Sequence, residues 1–166
     1  MRYILVKTIA FHLLFLVLHY THEALPYRAV AVFAPTTESV MQHMKAAFYA
    51  WTLVSVGELA LRRDVWRRVF DANLLINLLA PWAMFMWYLA SALDLQPLPT
   101  VAIEILYANI VLLLAGLGLT VLSRDLMRAQ FARASRAVMI AFYVVFAFLL
   151  AALTFETPWG GFFTHP

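Results

Sequence analysis

Five apolar runs, each close to the length that crosses a bilayer, leave this chain few ways to fold. They lie at about residues 3–22, 44–61, 69–93, 100–122 and 137–155. A bilayer's hydrocarbon layer is about 30 Å thick, so a spanning helix needs about 20 mostly apolar residues. Hydrophobic residues make up 64% of the 166 and charged residues 13%, against about 45–50% and about 25% in ordinary soluble domains. The expectation is an all-α, polytopic membrane helix bundle with five transmembrane helices, forming a single domain over residues 1–166. With five spans counted, little chain is left for a soluble domain. The first run follows Arg2 as a signal peptide would, but no small-x-small cleavage site follows it closely, and it reads as a retained helix.

Orientation follows from the basic residues, which gather in the loops of inward-facing membrane ends. "LRRDVWRR" lies between the second and third runs and "SRDLMRAQFARASR" between the fourth and fifth, while Arg2 and Lys7 open the chain. Of the 12 Lys and Arg residues, only Arg28 and Lys45 fall on the other side. This alternation places the N-terminus in the cytoplasm and the C-terminus outside, in a bacterial cytoplasmic (inner) membrane. The basic clusters are a topology signal and not a nucleic-acid face. Trp51, Trp82, Trp87, Trp159, Tyr20 and Tyr88 read as interfacial anchors. Pro81 is expected to kink the third span, and Ala115, Gly116 and Gly118 allow close helix approach in the fourth. The absence of cysteine excludes disulfides, thiolate metal sites and iron–sulfur clusters.

An ionisable group at depth in lipid costs a few kcal/mol or more, so each needs a partner, water or an interfacial position. The outer end collects His19, His22, Glu23, Glu38, His43 and Glu104; the inner end collects Glu58, Asp71, Asn73 and Asn77. His12, His19 and Glu23, spaced seven and four apart, share one stripe of the first helix. In "TTESVMQH" Ser39 and Gln42 read as a capping box, which leaves Glu38 just outside the helix and free to turn back toward His43. Imidazole with carboxylate is the ligand set of Zn²⁺, Fe²⁺ or Mn²⁺. His19, Glu23, Glu38 and His43 are therefore the candidate metal ligands. Lys45 and Glu104 are the candidate catalytic groups, Lys45 as the partner of surplus negative charge or of an anionic substrate. Two blander readings stand beside this one: a buried structural polar network, and plain interfacial solvation. His19 and His43, with His12 deeper, also have the placement of bis-histidine haem ligands, against which stand the carboxylates of Glu23 and Glu38. At the inner end an i,i+4 pair of Glu58 with Arg62 is the default. Glu58, Asn73 and Asn77 form a second candidate polar site, and a proton or ion path is the alternative use for it.

"LHYTHE", then "ESVMQHMKAAF", then Glu58, resemble a family of small bacterial integral-membrane proteins. That family's pattern is L-H-[FY]-x-x-[DE], then N-E-S-V-W-E-H-L-K-x-x-F, then a glutamate in the second span. The likeness covers roughly the first 60 residues. It implies that His19, Glu23, Glu38, Ser39, Val40, His43, Lys45, Phe48 and Glu58 form one recurring unit, and it implies no activity. Thr37, Met41 and Gln42 depart from the pattern, and Gln42 removes one carboxylate.

The expected function is an integral membrane protein whose outer His/Glu pocket binds a divalent metal, with a water activated there acting on a lipid or small amphiphile. Two other classes use the same features. One is a non-catalytic accessory subunit of a larger membrane complex. The other is a transporter of an ion or small solute. Membrane lipids, a membrane-protein partner or a second copy of the chain are the expected partners, and nucleic acid is not.

Overall fold

Inside hydrocarbon every backbone N–H and C=O must find its partner within its own segment, so apolar runs of this length become helices. The computed structural model describes residues 1–93 and 100–155; the side chains of residues 87–93 and of Glu104 lie outside the described residues. Every regular element among the described residues is helical: α1 (Arg2–Ala24), the short α2 (Arg28–Ala31), α3 (Val40–Leu61), α4 (Trp66–Leu93), α5 (Val101–Leu126) and α6 (Arg133–Phe155). Among the described residues four helices are long and apolar enough to cross a membrane: α1, α4 with the turn before it, α5 and α6. α3 matches them in length. It carries Gln42, His43 and Lys45 at one end and Glu58 at the other.

α3 is the most enclosed helix, lying against α1 and α4, while α5 closes a four-helix ring by touching α1 and α4. α6 rests outside that ring, mainly on α4. Contacts fix the directions. His19 meets His43 and Lys7 meets Glu58, so α1 and α3 are antiparallel. Glu58–Asn73 and Thr52–Asn77 make α3 and α4 antiparallel. Thr8–Thr120 and Lys7–Ser123 do the same for α1 and α5. α6 is antiparallel to α3 through Lys45–Thr154 and Thr52–Tyr143. The five long helices therefore alternate in direction.

The ring's core is Phe11, Phe15, Met44, Trp51, Val54, Ile76, Ala80, Met84 and Leu112 with small residues between. Trp51 corrects the reading of it as an interfacial anchor, because it is fully buried, edge-on to Phe11 with centroids 5.3 Å apart. Its ring lies 4.9 Å below the Lys7 ammonium, a charge that an aromatic face attracts. Trp82 is half exposed; the side chains of Trp87 and Tyr88, and all of Trp159, lie outside the described residues. Gly116 is where the missing side chain matters: a Cβ there would stand 2.8 Å from the buried Phe11 ring. Pro81 is accommodated within α4, which continues as helix to Leu93.

At one end of the ring a buried polar knot joins four helices. Lys7 Nζ donates to Glu58 Oε2 at 2.6 Å, Asn73 Oδ1 at 2.7 Å and Ser123 Oγ at 2.9 Å, which uses all three ammonium hydrogens. Glu58 also accepts from the Tyr3 hydroxyl at 2.8 Å, Asn73 Nδ2 at 3.0 Å and Arg62 at 3.1 Å. The expected Glu58–Arg62 pair is present, yet the shorter and drier bond is to Lys7. On α6, Arg136 clamps Asp71 of α4 with two bonds of 2.5 and 2.6 Å.

Leaving one member of a buried pair without its counter-charge costs about 3–5 kcal/mol. Glu58→Gln, which strips Lys7 of its carboxylate, is expected to approach that loss. Lys7→Met should cost less, because Glu58 keeps Arg62, Tyr3 and Asn73. Reversible denaturation in mixed micelles measures both, and equal or reversed losses would contradict the assignment. Gly116→Val should lose about 1–3 kcal/mol by overpacking against Phe11, read in the same assay.

Candidate metal centre

At the opposite end of the ring, α1 delivers His19 on its fifth turn and α3 delivers His43 on its first. Glu38 comes from the irregular segment before α3, one residue ahead of the N-cap Ser39. Ser39 takes the extended conformation of a cap, φ −74° and ψ 153°, but its side chain bonds no backbone N–H of the helix. The capping box is therefore not formed as expected. Gln42 turns back beyond the cap, its Oε1 accepting from the Thr36 N–H at 3.3 Å, and the Thr37 hydroxyl donates to Ser39 Oγ at 3.3 Å. The turn that releases Glu38 from the helix does form.

His19, Glu38 and His43 converge, each offering one ligand atom, with those atoms all within 4.8 Å of one another. Glu38 Oε1 is 3.5 Å from His19 Nε2, and Oε2 is 3.4 Å from His43 Nε2. These distances exceed the usual reach of a direct N–H···O bond, about 2.7–3.2 Å. Each is close to the separation of about 3.3 Å between neighbouring ligands on a tetrahedral zinc with bonds of about 2.05 Å, though the two run to different oxygens of Glu38. The two imidazoles have centroids 5.0 Å apart and are inclined at 37°. Phe15 stacks beneath both, at 6.1 Å from His19 and 6.3 Å from His43, and Tyr20 meets His19 edge-on at 4.8 Å.

The tautomer of His43 follows from its back side. Nδ1 is 2.9 Å from the Ser39 carbonyl, and a carbonyl can only accept, so Nδ1 carries a hydrogen. In the neutral ring Nε2 then presents its lone pair toward Glu38, the outer-shell arrangement that orients metal-ligating histidines. His19 lacks such a partner: its Nδ1 is buried without a hydrogen bond among the described residues. The donor set suits a borderline divalent cation. His19, Glu38 and His43 would be three protein ligands to such a cation, and the Glu38 side chain, 60% exposed, lies on the open side of the trio.

The other expected site residues are distributed differently. Glu23 is exposed, one turn beyond His19 and outside the trio. Lys45 is fully buried and stands apart, its Nζ donating to the Ala31 carbonyl at 2.7 Å and to Thr154 Oγ1 at 3.0 Å. Glu104 belongs to α5, and its side chain lies outside the described residues. His12 Nδ1 is buried without a hydrogen-bond partner among the described residues, and His12 is not in the trio. Of the inner candidates, Asn73 joins Glu58, whereas Asn77 bonds Thr52 instead. Sequence reasoning missed Lys7 as a site residue by counting it only as a topology charge. Its place inside "YILVKTIAF", a turn after Tyr3, was the available signal. Compared with protein-family models, curated proteins and solved structures, the chain matches none of them.

Proposed function

We propose that this is an integral membrane protein of the bacterial cytoplasmic membrane with five spans, its N-terminus cytoplasmic, whose outward end holds a divalent metal between His19, Glu38 and His43. The observation that carries this reading is the convergence of those three groups from two helices and a turn, one ligand atom of each lying within 4.8 Å of the others, with the Ser39 carbonyl setting the His43 tautomer. Zn²⁺, Fe²⁺ and Mn²⁺ are the cations this donor set accepts. A metal in such a place supplies Lewis acidity toward a bound water or carbonyl oxygen. Glu38 is exposed at the end of a bundle of apolar helices, so a lipid or small amphiphile is the substrate class in reach. The likeness of "LHYTHE" and "ESVMQHMKAAF" to a family of small bacterial membrane proteins favours one recurring unit made of these same residues. The topology is supported by the alternating helix directions and by Arg62, Arg124, Arg128, Arg133 and Arg136, which gather near the Lys7–Glu58 end.

Protein purified without chelator from cells grown with zinc, iron and manganese should carry a stoichiometric divalent ion. The double variant His43→Ala, Glu38→Ala should lose it while keeping the wild-type helical content by circular dichroism. Metal-free wild-type protein, or metal retained by the double variant, would sink the metal reading. Since the chain has no cysteine, introduced thiols report sidedness. In intact cells an impermeant thiol reagent should label Tyr27→Cys and spare Arg128→Cys. The opposite pattern inverts the orientation, and labelling of both removes the odd number of spans between them.

A further inference from the structure

Between α3, α4 and α6 lies a cleft of about 280 Å³ that no charged side chain among the described residues lines. Its walls include Val56, Leu59, Phe70 and Ile140; its polar lining is Ser55, the knot's Asn73 and, beyond them, Thr52, Asn77 and Tyr143. These last three sit near the middles of their helices, far from the metal trio at the outer end and beside the Lys7–Glu58 knot without sharing its bonds. The Thr52 hydroxyl is 2.9 Å from the Phe48 carbonyl, 3.0 Å from the Tyr143 hydroxyl and 3.2 Å from Asn77 Oδ1. Asn77 is only 4% exposed, and no acceptor among the described residues takes the hydrogens of its Nδ2. Asn73, one turn away, differs in having both amide ends bonded, to Lys7 and Ser123 on one side and Glu58 on the other. A half-paired amide in an apolar cleft is costly when no water solvates it, and it fits a ligand that brings an acceptor.

The properties of that ligand follow from the lining. No charged group is present to meet a phosphate or ammonium, so the ligand is neutral. The walls and the mid-helix depth make it lipid-soluble. The volume is at the small end of ligand sites, which begin near about 300 Å³, enough for one ring and the start of one tail but not for a two-tailed glyceride. The free donors of Asn77 call for a carbonyl oxygen. We propose that this cleft binds a neutral, single-tailed carbonyl compound of the quinone type, entering sideways from the bilayer, with its carbonyl accepting from Asn77 Nδ2. The site is independent of the metal centre.

Equilibrium binding to the purified full-length protein in detergent tests this with three probes. They are a para-benzoquinone with an alkyl tail, the alkylbenzene of equal tail length, and a diacylglycerol as competitor. The quinone should bind saturably and about tenfold or more tighter than the alkylbenzene, the worth of one hydrogen bond in a dry site. Diacylglycerol at equal concentration should not displace it. In Asn77→Leu the quinone should bind no better than the alkylbenzene. Equal affinities in the wild-type protein would reduce the cleft to a hydrocarbon groove and overturn the proposal. So would displacement by diacylglycerol, or undiminished quinone binding in Asn77→Leu. The wild-type comparison decides even where the variant does not fold.

Discussion

The Lys7–Glu58 ion pair is the constraint around which the helical ring is organised. A buried ammonium and carboxylate are tolerated only with their remaining hydrogen-bonding capacity satisfied, and the groups that satisfy them come from every helix of the ring. Tyr3 and Lys7 belong to α1, Glu58 to α3 with Arg62 just past its end, Asn73 to α4 and Ser123 to α5. Apolar packing alone specifies register weakly in a membrane, where lipid is as apolar as leucine. A knot with one satisfied arrangement fixes which turns face one another. Phe11 against Gly116 and Trp51 under Lys7 then follow as the next layer.

That layer also separates the two polar ends. Phe11, Phe15, Trp51, Ile76 and Ala80 fill the space between the Lys7–Glu58 knot and the His19–Glu38–His43 trio. The ends differ in character: every donor of Lys7 is engaged, whereas Glu38 stands 3.4–3.5 Å from the two imidazoles and is largely exposed. A satisfied network suits a structural task. An open, convergent one suits binding.

Much of this was legible in the residues, and the parts that were not share a cause. Helix content, the ends of α1 and the far end of α3 follow from hydrophobic run length, and the meeting of His19 with Glu38 and His43 follows from stripe spacing and from a helix start at Ser39. The observed start at Val40, four residues before the apolar run at 44, shows that polar Gln42 and His43 were helical despite their composition. Periodicity along one helix says nothing about which neighbour it meets. Lys7 therefore read as a cytoplasmic charge, Trp51 as an interfacial ring and Lys45 as a companion of the trio, although each is settled by contacts with another helix. Asn73 and Asn77 share a helix face and yet divide between two sites, because α3 offers Glu58 to one and Thr52 to the other.

The short segment that carries Glu38 is fastened at both ends. Lys45 holds the Ala31 carbonyl against Thr154, Ser39 begins α3, and Gln42 grips the Thr36 N–H between them. Immobilising a rotamer-rich acidic side chain and its backbone ordinarily falls on the moment of binding. Here the backbone that presents Glu38 is ordered when the chain folds, so part of that loss of freedom falls on folding, and Lys45 contributes to it without touching the trio.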